Sequence, residues 1–392
     1  MGKKLDCNEK YLIHLLKSSV LNEIPKEKPN NVSFEKIFSL GKYHNVANIC
    51  YYSISKLKNK PDEKLLFAWK EIKEKAVVKN IIQKNELNSI LNIFNKNKIF
   101  NVILKGFELK KLYPSEDMRL MTDIDILVKK SDTQRVYNIM KSLKYEVKSF
   151  GKGKDDIYFK PPVMNVEIHN SLFDKTYEEF DKYFQKLSNM ENIKIKNLFE
   201  CTFTDEDFFL FLFIHNVKHY MTSGIGVRAV LDIWLYIQEK KQSLDWNYIF
   251  STLEKLKLKS FYFNFTHLGE VWFGTEKEND IDVEIGKYIF SSGTYGNSKN
   301  NNLNNILNKN NKTFLGKIIA IYSLCFPKLY NLEESYPVLR KYPFLLIFCY
   351  IHRGIKKIFF DRKKFKQVKE ILDGDRKSID YLKTLHKKSG LK

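Results

Sequence analysis

The stretch LKGFELKKLYPSEDMRLMTDIDILV, residues 104–128, decides the fold. Near its end acidic and apolar side chains alternate, Asp123, Ile124, Asp125 and Ile126, before Leu127 and Val128. Successive side chains of a strand point to opposite faces, so this run predicts a strand with Asp123 and Asp125 on one face. The apolar neighbours put that strand in an interior. Carboxylates crowded there repel one another and need a compensating cation. Hard oxygen donors suit a divalent ion, Mg²⁺ or Mn²⁺. A D-x-D pair alone is common and often merely solvated; the apolar surroundings give this one its weight.

Immediately upstream, IFNVIL (99–104) predicts a short strand, ended by Lys105-Gly106, with a helix beginning in 107–113. A glycine after an apolar strand, at a helix start, lets backbone N–H groups face an anion. Farther upstream, residues 65–94 hold no glycine and repeat apolar side chains at helical steps, as at Ile81, Leu87, Ile90, Leu91 and Phe94. That predicts a long helix, opened by Pro61-Asp62. Residues 1–95 read as helical throughout.

Downstream, residues 131–144 predict a helix capped by Ser131 or Asp132. Residues 145–150 and 157–160 predict strands joined by GKGKDD (151–156), a hairpin rather than a phosphate loop opening a helix. VMNVEIH (163–169) predicts a further strand, with Glu167 and His169 on one face. If that strand lies alongside the first, Glu167 joins Asp123 and Asp125. Such a trio holds divalent metal for phosphoryl-type transfer. Residues from about 205 onward read as helical, with the Asn-rich stretch 296–312 as an exposed loop. The expected fold class is α+β. A small mixed-sheet core over 96–200 is flanked by helical regions over 1–95 and 201–392.

The bulk composition fits a soluble globular chain: 43% hydrophobic and 29% charged residues in 392. The net charge is +21 and the pI about 9.4. Attraction to polyanions is one reading. The other is compositional, since lysine, asparagine and isoleucine are abundant everywhere and the lysines form no single tract. Five cysteines, none at C-x-x-C spacing, argue against a zinc ribbon or disulfide framework and for reduced thiols in a cytoplasmic protein. The N-terminus lacks the apolar core of a signal peptide. YPFLLIFCY (342–350) is too short to span a bilayer and reads as a buried or interfacial helix.

Residues 104–128 resemble the uncharacterised bacterial nucleotidyltransferases of nucleotidyltransferase family 5, in the DNA polymerase β-like superfamily. The likeness rests on Lys105-Gly106, Tyr113-Pro114, Arg119, Asp123 and Asp125, and continues in the V-E-I-H of Glu167 and His169. Weaker likenesses are the helical lead-in around His44, the paired histidines His215 and His219, and Arg228 with Asp232. The likeness covers about residues 35–240. It implies a polymerase-β-like core, an NTP co-substrate and Mg²⁺ (or Mn²⁺) held by Asp123, Asp125 and Glu167. Superfamily members usually follow the glycine with Ser or Gly; here Phe107 follows Gly106. Either Lys105 takes over the phosphate or nucleotide binding is weakened.

Two readings stand for several residues. Arg119 contacts the triphosphate or forms an ion pair steadying the acidic strand. His169 contacts metal or phosphate, or is a hydrogen-bonded core histidine. His215, His219, Arg228 and Asp232 contact substrate, or pack the helical region onto the core. The expected activity is Mg²⁺-dependent transfer of a nucleoside monophosphate from an NTP to an acceptor hydroxyl, with release of pyrophosphate. Lys105, Gly106, Arg119 and His169 would serve the nucleotide and metal. The acceptor (small molecule, protein or RNA) is not readable. The alternatives are a catalytically inactive nucleotide-binding regulator, a tRNA-directed nucleotidyltransferase toxin, and a peripheral membrane protein using residues 342–360 and the basic tail.

Overall fold

The computed structural model describes residues 4–294, 296–309, 326, 332, 336–352 and 376–391. Helices α1 (Cys7–Val20), α2 (Phe34–Tyr43) and α3 (Ala47–Ile54) lead into α4 (Glu63–Lys96), a single helix of 34 residues. The Asp62 side chain caps α4 by accepting the Leu65 N–H at 3.0 Å. Its buried stripe runs through Trp69, Ala76, Gln83, Leu87, Ile90 and Phe94. Ile81, expected in that stripe, is 53% exposed, because the helix turns it to the outer side.

The sheet is built from β1 (Asn101–Ile103), β2 (Ile124–Val128), β3 (Glu146–Ser149), β4 (Asp155–Lys160), β5 (Met164–His169), β6 (Lys194–Asn197) and β7 (Glu200–Thr202). Its seven strands are ordered β3-β4-β5-β2-β1-β7-β6. β2 pairs with β5 in parallel and β1 pairs with β7 in parallel; the other pairings are antiparallel. Between β1 and β2 come the short α5 (Gly106–Leu109) and 3-10 turns; α6 (Thr133–Ser142) follows β2, and α7 (Glu178–Ser188) precedes β6. Asp132 sits at the N-cap of α6 but makes no side-chain cap bond; its carboxylate pairs with Arg135 at 2.6 Å instead. The GKGKDD segment is the β3–β4 hairpin, with Gly151 at φ +62° in its turn.

Further helices among the described residues are α8 (Asp205–Tyr220), α9 (Val227–Lys240), α10 (Trp246–Lys255), α11 (Lys259–Phe273), α12 (Asp280–Ser292), α13 (Ser298–Lys309) and α14 (Arg376–Ser389). The chain is thus an α+β fold, a mixed sheet with helices at both ends. α13 corrects the loop expected at 296–312; its residues 310–312 lie outside the described ones. An Asn-rich run reads as solvated, yet Asn300, Asn302 and Asn304 are buried. Asn304 donates to the Thr222 carbonyl at 2.6 Å and Asn300 donates to Ser292 Oγ at 3.0 Å, which gives these amide N–H groups partners inside.

Two apolar clusters sandwich the sheet. Ile124, Ile126 and Val128 of β2, with Val166 and Ile168 of β5, pack with α4 and α6 side chains such as Phe94 and Met140. Leu127 belongs to the other cluster, which draws residues from Leu5 to Leu391. Because strand side chains alternate, Asp123 and Asp125 share the Leu127 side and face away from the first cluster. The cysteines among the described residues are free thiols. Among those residues no helix is long and apolar enough to cross a membrane. In 342–352, Phe344, Ile347, Phe348 and Ile351 are exposed while Cys349 is buried, so that segment is not a buried helix.

Candidate active site

The parallel register of β2 and β5 sets Asp125 opposite Glu167 and Leu127 opposite His169. Ligand atoms of Asp125, Glu167 and His169 all lie within 4.8 Å of one another. Asp123, Asp125 and Glu167 line one cavity of about 370 Å³, which α8 and α9 complete. Asp123 lies on that wall but outside the tight cluster, where His169 takes the third place. The three carboxylates form a donor set that fits a hard divalent cation, with the His169 imidazole beside it.

Charge inside this group is sharply divided. Burial alone would raise Asp125, but Lys105 and His169 override it and hold its carboxyl well below the usual carboxylate range. Lys105 Nζ donates to Asp125 Oδ1 at 2.8 Å, and His169 Nε2 lies 2.7 Å from the same oxygen. Burial and the carboxylates of Asp125, Asp123 and Asp155 push Glu167 up to about 7. Burial and then Asp125 raise Asp123 as well. His169 is pushed down to about 4, chiefly by burial, and is neutral at pH 7. Its Nε2–H donates to Asp125, which leaves Nδ1 to accept from Lys154 Nζ at 3.3 Å.

Lys105 adopts φ +47° and ψ −116°, a backbone region that favours glycine. Such strain costs on the order of 1–3 kcal/mol and is held only by its surroundings. Here it accompanies an ammonium set on Asp125. Lys105 therefore neutralises the acidic strand in this structure.

Gly106 is required for a different reason from the one expected. A Cβ there would meet Arg119 Nη1 and Met121 Sδ, each at 2.5 Å. Arg119 in turn forms a bidentate pair with Asp232, Nε at 2.9 Å and Nη2 at 2.8 Å, and Tyr113 Oη donates to the same carboxylate at 2.8 Å. Arg119 lines the cavity and forms its ion pair with α9, not with the acidic strand. Phe107 packs against the apolar cluster beneath the sheet and is not on the cavity wall.

His215 and His219 also face the cavity. Their Nε2 atoms are 3.1 Å apart, and burial drives both below the ordinary histidine range. Arg228 lines the cavity while donating to the Leu120 carbonyl at 2.7 Å. His44 is not on the wall; it is buried against Phe290. Sequence reading missed Lys154 and Lys218, both on the wall. The lysines of GKGKDD were the one available signal for Lys154.

An α+β fold that sets D-x-D and Glu on adjacent strands beside a basic cavity has the layout that nucleotidyl transfer calls for. Residues 30–274 match the model of a family described as uncharacterised nucleotidyltransferase, and the chain belongs to that family. It is an enzyme of the nucleotidyltransferase type. No curated protein and no solved structure matches the chain.

Proposed function

We propose that the protein moves a nucleoside monophosphate from an NTP to an acceptor hydroxyl, in a Mg²⁺- or Mn²⁺-dependent reaction that releases pyrophosphate. The observation carrying this reading is the Asp125–Glu167 pairing across β2 and β5, with Asp123 on the same cavity wall. Asp123, Asp125 and Glu167 would hold the divalent ion, with His169 fixing Asp125 from behind. The bound ion supplies charge neutralisation for the triphosphate and its leaving group.

The acceptor oxygen forms a bond to the α-phosphorus as the bond to the bridging oxygen of the β-phosphate breaks. The electron pair leaves with pyrophosphate, and the hydroxyl proton passes to the Glu167 carboxylate. Asp125, held ionised by Lys105 and His169, stays a ligand and does not compete for the proton. Positioning and electrostatics suffice, so no covalent enzyme intermediate is needed.

Phe107 packs outside the cavity and so does not block it, which favours the active reading over an inactive nucleotide-binding regulator. The test is calorimetric titration of Mn²⁺ into wild type and Asp125→Asn. Binding by the wild type that is lost in the variant supports the reading. Equal binding by both counts against these carboxylates as the metal site.

A further inference from the structure

The cavity has a second, basic wall that the carboxylate chemistry leaves unused. α8 brings His215, Lys218 and His219 to it, and the β3–β4 hairpin brings Lys154. Lys154 pairs with Asp155 and reaches 3.3 Å from His169 Nδ1, so this wall abuts the acidic cluster. The Lys218 ammonium lies 5.5 Å from the centroid of the Tyr177 ring and has no carboxylate partner among the described residues. Burial, with Lys154 and Lys105 nearby, pushes Lys218 down to about 8. Lys218 is thus a cation on the cavity wall without a carboxylate of its own, suited to an anion entering the cavity.

Lys154 is shared with Asp155 on its own hairpin, and the basic groups outside α8 and this hairpin are engaged by the core. Lys105 is held by Asp125, Arg119 by Asp232, and Arg228 by the Leu120 carbonyl. The space beside Gly106 is filled by Arg119 and Met121. The two lysines next to His215 and His219 also disfavour a metal ion at that histidine pair.

We propose that Lys218 and Lys154, with His215 and His219 beside them, bind the β- and γ-phosphates of the nucleoside triphosphate. The seat of the triphosphate is then α8 and the β3–β4 hairpin, not the Gly106 turn. This rests on the nucleotidyltransferase reading above. A cavity of about 370 Å³ is within the range of small-ligand pockets, about 300–1,000 Å³.

Calorimetric titration of inorganic triphosphate into the full chain tests the proposal, on wild type, Lys218→Met, Lys154→Met and Lys218→Arg. The wild type binds, each Met variant weakens binding about tenfold, and Lys218→Arg, which keeps the charge, binds nearly as the wild type does. Circular dichroism confirms that each variant is folded, and the Arg variant keeps the test valid if Lys218→Met is not. No binding by the wild type, or equal binding by wild type and both Met variants, overturns the proposal. Transfer of a label from NTP, measured on the same preparations, separates the two readings. Intact transfer beside binding indifferent to both lysines overturns the basic wall alone. Lysine-dependent binding without transfer supports the wall and counts against the proposed reaction.

Discussion

Asp125 and Glu167 are register partners across the parallel pair β2 and β5, yet they sit at opposite ends of the carboxylate range. One is held ionised by Lys105 and His169; the other is pushed up to about 7, by burial first and then by its neighbours. This division of labour predicts different losses. Asp125→Asn removes the ionised ligand and abolishes metal binding with transfer. Glu167→Gln keeps much of the nucleotide binding and lowers transfer about 10²–10³-fold. Steady-state kinetics beside nucleotide titration distinguishes the two.

Metal binding should release a proton near neutral pH. Glu167 is raised, so below about 7 it carries a proton that the cation must displace. Affinity of the metal-free protein for Mn²⁺ therefore rises as pH climbs through 7 and levels off above it. Calorimetry in two buffers of different ionisation heat reads the released proton directly. Glu167→Gln flattens the dependence.

Buried histidines set the acid limit of stability. His44, His169 and His386 are pushed down to about 4 and His219 to about 3, in each case chiefly by burial. Unfolded histidines titrate near 6.5, so between 6.5 and 4 the unfolded chain binds more protons than the folded one. The histidine contribution is complete above 6.5 and is lost as pH drops through this window. Each pH unit costs about 1.4 kcal/mol for every such histidine. Thermal melts between pH 7 and 4.5 should show a steep decline, less steep in His44→Asn if that variant folds.

Arg119 and Asp232 join the segment before β2 to α9 through a buried bidentate pair. Arg119→Ala leaves the Asp232 carboxylate buried with only Tyr113, and the expected loss is about 3–5 kcal/mol. Arg119→Lys recovers little, because an ammonium cannot reproduce the two parallel bonds. Replacing both partners, Arg119→Met with Asp232→Leu, recovers more than Arg119→Lys does. Urea unfolding of the set checks the order.

Gly106→Ala drives a methyl into Arg119 Nη1 and Met121 Sδ. The cost is about 1–3 kcal/mol, as for overpacked cores. Triphosphate affinity falls less than it does in Lys218→Met, because Gly106 shapes the packing rather than the anion wall. Denaturation and triphosphate titration on the two variants read these effects.

The chemistry of this site was legible where it depended on local period. Alternation in DIDILV announced a strand with both aspartates on one side, and VEIH announced a second strand with Glu167 and His169 together. That the two strands are parallel neighbours was not legible, since the pairing between residues 124–127 and 166–169 is set by tertiary packing. The Arg119–Asp232 pair, 113 residues apart, was hidden for the same reason. Lys154 and Lys218 read as ordinary surface lysines among many. The Asn-rich helix α13 escaped because polarity signals solvent unless partners inside satisfy the amides.

The most direct measurement of the central claim is transfer from an NTP radiolabelled at its α-phosphate, with Mg²⁺ or Mn²⁺. It is run with cell lysate, with total RNA and with no acceptor, beside Asp123→Ala/Asp125→Ala. The account predicts label on an acceptor with the wild type and none with the double variant. Label transferred equally by the double variant would contradict it.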